Sequence, residues 1–226
     1  MTSDPLSLTQ DAYRTEERAP ILPHRYRRAL VHVVRNAIAP EIASDLGAWM
    51  EMQRTGMERI DAENAWGWWM PSIDEQCAAV TSQVRAKVVE HLDAACAACV
   101  VAPFDLQRVE MWGALHHHED CEPWHDDAMV SSSEVATSRR LSWSLTLHSE
   151  PKLFEGGQME FADGTKIPAI HNQLAFWHPV QQHRIAPVEC YVSRALHGRW
   201  SLRGYVHGVA PEGWADKVLA LRGTAQ

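Results

Sequence analysis

The sequence predicts a mixed α+β chain, mainly β, whose supporting helices lie in its N-terminal half. Three observations predict this. Two stretches with helical spacing of apolar residues fall before residue 100, six short runs with period-two alternation follow Pro103, and Gly, Pro, Asp and Asn separate those runs. That second pattern describes a β-sandwich or barrel. At 226 residues the chain can bury one sizeable core, and its length requires no second domain.

Residues 1–26 lack periodicity and read as a flexible N-terminal arm. A β-rich run, Ala29 to Val34, follows it, and then Pro40, which suits a first helical turn. Ile42, Leu46, Trp49 and Met50 recur at helical spacing, so a helix is expected over about 40–54. Trp66 to Met70 fits either a short strand or an ordered loop. Ser72 and Glu75 have the spacing of a capping box, and Val80, Val84, Val88 and Leu92 behind them predict one long helix over about 73–98. The expected strands are 106–112, 140–147, 158–161, 173–177, 183–188 and 199–206. Residues 27–210 therefore form a single domain, and 211–226 a short C-terminal helix and tail.

The side chains count 21 basic against 29 acidic, a net charge of -8, which argues against a phosphate backbone as the main partner. No apolar run approaches the roughly 18 residues that span a bilayer, and Met1 to Pro20 has no signal-peptide pattern. A cytoplasmic protein with neither nucleic acid nor membrane as partner is expected. The five cysteines then read as reduced thiols, and the Cys96/Cys99 pair, in an Ala-rich helical stretch with no second CxxC, as structural.

The chemistry concentrates in His125-Asp126-Asp127, read with His183 and the Arg199-Trp200-Ser201 triplet. A His-x-Asp and a distant His supply two imidazoles and one carboxylate, the set that holds Fe(II) on one face and leaves positions open for substrates. Arg199 and Ser201 are two apart on one strand and share a face, so a guanidinium and a hydroxyl lie side by side for a carboxylate. Asp126 is the alternative carboxylate, expected to point the other way on an extended strand.

The ordered set is what carries a resemblance. After His-x-Asp come Phe154-Glu-Gly-Gly-Gln-Met-Glu-Phe161, Pro168, Phe176-Trp177, His183-Arg-Ile-Ala-Pro-Val188 and Gly198-Arg-Trp-Ser-Leu-Arg-Gly-Tyr205. In that order they resemble the Fe(II)- and 2-oxoglutarate-dependent dioxygenases, in particular the prolyl-hydroxylase-like branch, and the similarity spans about Val31 to Tyr205. The resemblance implies a double-stranded β-helix core (jelly roll, cupin-like). It also implies His125, Asp127 and His183 as catalytic metal ligands, Arg199 and Ser201 at the far carboxylate of 2-oxoglutarate, and Thr146 where the family often places a Tyr. Halogenating members resemble the pattern with a small residue at the position of Asp127, so hydroxylation is the implied outcome. Arg199 follows His183 by a longer interval than is usual in the family, as if residues 189–197 held an insertion, and Arg194 is the competing anchor.

Other residues carry paired readings. Trp112 and Trp124 are core residues or substrate contacts, Trp124 because it adjoins a ligand. Arg140, with Arg139, holds an acidic substrate or caps a strand. His116-His117-His118 reads as a surface or lid loop, or as a second metal site, and His178 as a rival for the distal ligand. The leading function is an Fe(II)/2-oxoglutarate oxygenase acting with dioxygen on a small molecule, an amino acid or a biosynthetic intermediate. The alternatives are hydroxylation of a prolyl or other protein residue, a cupin-like enzyme without a keto acid, and a non-catalytic metal-binding β-barrel.

Overall fold

Alternation along three neighbouring strands sets the architecture. On β7 (Arg139–Leu147), Leu141, Trp143, Leu145 and Leu147 are buried in the main core, while Ser142, Ser144 and Thr146 point to the other face. On β14 (Arg199–Gly208), Trp200, Leu202 and Val206 belong to that core, and Arg199, Ser201, Arg203 and Tyr205 face away from it. Leu174 and Phe176 of β11 (Gln173–Trp177) complete the apolar face, and Ala175 and Trp177 turn to the other side. One sheet thus has an apolar face for helices and a polar face for a site.

The computed structural model describes residues 29–62, 65–70, 73, 78–128, 139–191 and 197–209. The expected N-terminal arm, the C-terminal helix, the capping box at Ser72 and Glu75, and Arg194 lie outside them. The large sheet runs β1-β11-β7-β14-β5-β3-β2. Its remaining strands on that path are β1 (Val31–Arg35), β2 (Glu58–Ala62), β3 (Ala65–Met70) and β5 (Trp112–His116). β4 (Leu106–Val109) also pairs with β14. A four-stranded sheet, β10-β9-β12-β6, comprises β6 (Glu122–His125), β9 (Met159–Phe161), β10 (Lys166–Ile167) and β12 (His183–Ile185). β8 (Phe154–Gly156) and β13 (Val188–Cys190) form a separate pair. All these pairings are antiparallel and neither sheet closes on itself. This is the mainly β jelly roll expected. A second cluster, including Met159, Phe161, Ala175, Trp177 and Ile185, joins strands of both sheets.

Helix α1 (Pro40–Met52) begins with Pro40 at its first turn and buries Ala43, Leu46 and Met50. The long helix expected over 73–98 is instead two, α2 (Ala78–Glu90) and α3 (Leu92–Cys99). At His91 the backbone (φ -93, ψ 3) leaves helical geometry. The buried stripe runs on across the break, from Thr81, Val84 and Val88 to Ala95, Cys96 and Cys99. Cys96 and Cys99 are free and buried in that core, with the Cys99 thiol on the Phe176 carbonyl, as the structural reading requires. Trp66 to Met70 is a strand, paired with β2 and β5. No described helix is long and apolar enough to cross a membrane.

Gly204 is required by packing: a Cβ there would stand 1.9 Å from the Glu110 carbonyl oxygen. Its absence lets the β4–β5 connection lie against β14, where Glu110 N–H donates to the Tyr205 carbonyl at 2.8 Å.

Candidate active site

The small sheet brings two histidines from distant parts of the chain face to face. His125 ends β6, His183 begins β12, and their Cα atoms are direct partners in the antiparallel ladder. Asp127 follows just past the end of β6, its backbone N–H held by the Pro179 carbonyl at 2.9 Å. One ligand atom from each of the three lies within 4.8 Å of the others, and this is the group found among the described residues that could hold a metal ion.

Hydrogen bonds orient each donor. The Nδ1 of His125 is 2.8 Å from the Pro123 carbonyl, and that of His183 is 2.9 Å from the Gln181 carbonyl. A carbonyl can only accept, so each Nδ1 carries the proton and each Nε2 turns a lone pair to the cluster. His183 Nε2 stands 3.5 Å from Asp127 Oδ2, and His125 Nε2 3.9 Å from Oδ1. Trp177 Nε1 donates to Asp127 Oδ2 at 3.0 Å and the Tyr205 hydroxyl to Oδ1 at 3.1 Å. Burial raises the Asp127 carboxyl pKa, but the two imidazoles and the donated hydrogen bonds outweigh it and hold the group below the ordinary range. Burial lowers the His183 pKa, against the opposing pull of Asp127, which keeps the ring neutral and able to ligate. Two imidazoles and one ionised carboxylate on one side of a cavity fit a divalent iron.

Across the cavity, on the large sheet, Arg199 is 2% exposed. Its Nη1 reaches Ser201 Oγ at 3.5 Å and its Nη2 reaches Thr146 Oγ1 at 3.4 Å, while its Nε has no partner among the described residues. Ser201 and Thr146 are Cα partners on β14 and β7. Burial and the nearby Arg203 bring the Arg199 pKa to about 10, so the guanidinium stays charged at neutral pH. A buried cation with long contacts to two hydroxyls and one idle donor fits the far carboxylate of a dicarboxylic co-substrate. The cavity between the sheets, about 200 Å³, is lined by His125, Asp127 and His183 and by Arg199. The interval between His183 and Arg199 contains β13, which pairs with β8 away from this cavity's two sheets.

Several expected residues take other places. Trp112 does line the cavity. Trp124 does not: next to the inward His125, it carries Arg184 5.0 Å above its ring. Arg140 does not either. The β7–β14 register slips between Val206/Leu141 and His207/Arg139, leaving Arg140 as the extra residue of a bulge. Its guanidinium lies over Phe104, close to Cys96 of α3, on the helix side of the sheet. Arg139 is the one that serves the site side, 3.6 Å above the Tyr205 ring and donating to the Asp127 carbonyl at 2.8 Å. His116 is no part of a surface loop or a second metal site; it is buried on β5. His178 is buried with its Nδ1 accepting the Val180 N–H, outside the ligand cluster. Asp126 lines the cavity without joining that cluster.

The sequence reading missed a buried network beside the cluster. Glu122 Oε1 lies 3.1 Å from His116 Nε2 and also accepts from Arg203 Nη1. Burial alone would raise the Glu122 pKa, yet Arg203 and His116 hold it well below the carboxylate range. Arg203 sits 4.5 Å over Trp69, which stacks on Trp112 at 5.8 Å, and Trp112 meets Tyr205 at 5.1 Å. The available signal was period two: Arg203 and Tyr205 continue the inward row begun by Arg199 and Ser201.

A jelly roll holding two imidazoles, a carboxylate and a buried guanidinium in one cavity defines a non-haem metal oxygenase of the keto-acid type. The model of the 2OG-Fe(II) oxygenase superfamily matches residues 110–207, a segment that contains these four side chains and the hydroxyls of Ser201 and Thr146. The match spans less than half of the chain, and across it the ligand set and the buried guanidinium are those of a dioxygenase that uses Fe(II) and 2-oxoglutarate. Among solved structures it is similar to a prolyl-4-hydroxylase from Pseudomonas putida, with a TM-score of 0.59 and 16% identity over 80% of this chain and 94% of that one. It is also similar to the α-ketoglutarate-dependent epimerase SnoN of nogalamycin biosynthesis, with a TM-score of 0.57 and 12% identity over 91% and 84%. HygX from Streptomyces hygroscopicus, with nickel and 2-oxoglutarate bound, gives 0.54 and 8% identity over 79% and 83%. At these identities the likeness is one of fold, the double-stranded β-helix. No curated protein sequence matches the chain.

Proposed function

We propose that the chain hydroxylates an unactivated C–H of a small molecule, an amino acid or a biosynthetic intermediate. His125, Asp127 and His183 hold Fe(II), and Arg199, Ser201 and Thr146 hold the far carboxylate of 2-oxoglutarate. The observation that carries the reading is the placing of the His125, Asp127 and His183 cluster and of Arg199 around one cavity of about 200 Å³. Bound there, the two supply the oxidation: dioxygen is consumed, the keto acid becomes succinate and CO2, and a substrate C–H becomes C–OH.

The protein's own residues perform the remaining tasks. Pro123 and Gln181 carbonyls fix the tautomers of the ligand imidazoles. Tyr205 and Trp177 occupy one lone pair on each Asp127 oxygen, which leaves the carboxylate a defined direction for the metal. The small volume of the cavity and the net charge of -8 favour a small, non-nucleic-acid substrate. A prolyl or other protein residue as target is favoured by one finding, the likeness to prolyl-4-hydroxylases.

The test is anaerobic reconstitution with Fe(II), then succinate formation from 2-oxoglutarate in air with a library of amino acids and metabolites and with proline-containing peptides. Succinate that rises with one compound and disappears in H183A supports the reading and names the substrate class. Stimulation by peptides alone moves the target to a protein residue. No succinate and no charge-transfer band with 2-oxoglutarate would leave a metal-binding barrel.

A further inference from the structure

Arg203 stands between the two groups described above. It follows Ser201 and precedes Tyr205 on the inward row of β14, and its Cα partners are Trp112 on β5 and Ser144 on β7. Only Nη1 is engaged, by Glu122. Nε and Nη2, the pair that forms the side-on fork of a guanidinium, are buried and have no hydrogen-bond partner among the described residues. The indole Nε1 of Trp112 is in the same condition. Three donors without an acceptor, on two paired residues that line the cavity, are costly unless an acceptor arrives there.

The fork does not belong to the Arg199 site. Thr146 places that site on the β7 side of β14, whereas the Arg203 guanidinium leans the opposite way, across β5, to lie over Trp69 of β3. Glu122 on one side and the Trp69 ring on the other fix its plane before any ligand binds. Two parallel N–H groups match the two oxygens of a carboxylate, which a lysine cannot do.

We propose that the primary substrate is a small carboxylic acid whose carboxylate is received by the Nε/Nη2 fork of Arg203, with Trp112 Nε1 as a third donor. This rests on the small-molecule reading above. Arg203 and Tyr205 are two residues apart on one strand, about 7 Å, and Tyr205 touches Asp127. The acid's carbon chain therefore runs from the fork to the metal ligands, and the carbon oxidised lies within a few bonds of the carboxylate.

The experiment loads the whole chain with Fe(II) and 2-oxoglutarate without oxygen. It is titrated with leucine, 3-phenylpropionate and indole-3-acetate, and with the carboxamide of each, reading tryptophan fluorescence and the charge-transfer band. At least one acid is expected to bind about tenfold or more tightly than its amide, since hydrogen bonds to charged groups are the strong ones. R203K, which keeps a cation for Glu122 but lacks the fork, is expected to lose that preference and keep the 2-oxoglutarate band. W112F removes only the third donor, should reduce the preference by about threefold, and serves if R203K does not fold. Equal binding of acids and amides, no binding by any acid, or an unchanged preference in R203K overturns the proposal while the band leaves the oxygenase reading intact. Loss of the band in R203K assigns the fork to the co-substrate and also overturns it. Absence of the band in the unmutated protein removes the underlying reading, and the proposal with it.

Discussion

The Tyr205 hydroxyl donates to Oδ1 of Asp127 at 3.1 Å, and it does so from the opposite sheet to the one whose β6 leads into Asp127. The contact joins the large sheet to the ligand cluster, and burial together with Asp127 raises the Tyr205 pKa, so the proton stays available to donate. Partners of ligating carboxylates commonly change metal affinity by about 10- to 100-fold. Y205F is therefore expected to weaken divalent-metal binding by about tenfold without loss of fold, as is W177F on the other oxygen, measured by calorimetric titration under anaerobic conditions. Wild-type affinity in both variants would show that the two donors do not orient the carboxylate.

His183 and His178 are both buried histidines near the same sheet, and only one belongs to the cluster. H183A is expected to remove tight metal binding and succinate formation together, because two ligands remain. H178A should retain metal binding even if it lowers stability. Metal titrations of the two variants side by side decide the assignment, and loss in H178A alone would reverse it.

Arg199 is buried, charged and incompletely bonded, so its role can be read from the co-substrate's Kd. Removing one partner of a buried charged pair costs about 2–5 kcal/mol. R199A is thus expected to weaken 2-oxoglutarate binding by at least about 30-fold. T146A and S201A should weaken it less, since each removes one hydroxyl beside a cation that remains. The charge-transfer band at increasing 2-oxoglutarate gives all three values, and an R199A band that saturates like the wild type would point to another anchor.

How much of this was legible follows from the kind of signal each residue carries. His125, Asp127, His183, Arg199 and Ser201 were readable because their roles depend on spacing along one strand or on an ordered motif. Thr146 meets Arg199 through cross-strand pairing, and only the resemblance placed it. Arg140 was misplaced because a bulge in the β7–β14 pair shifts the inward row by one, and a single sequence does not mark where two strands slip. Trp124 was misplaced because adjoining a ligand was weighed above the alternation that turns it to the other face. His116 looked like part of a polar loop, yet it is the last residue of β5, pairs with Arg199 of β14 and turns inward to Glu122. The break at His91 was hidden because apolar spacing continues on either side of it.

His178 supplies a pH dependence that can be isolated. Burial, assisted by the nearby Arg140 guanidinium, lowers its pKa to about 4 in the folded chain, against about 6.5 when unfolded. Between those values the unfolded chain takes up a proton that the folded chain refuses. Stability therefore falls as pH drops from about 6.5 towards 4, and the contribution levels off below that. The full difference is about 3 kcal/mol, and about 2 kcal/mol of it should appear between pH 7 and pH 5. Other histidines, among them the buried His116 and the half-buried His148, are also depressed and steepen the same limb, so the wild-type curve alone does not isolate His178. H178Q removes one titrating group and leaves the rest. Urea unfolding of both proteins at pH 7 and pH 5 should show a smaller loss in H178Q by about 2 kcal/mol, and parallel losses would mean that His178 is protonated in the folded state.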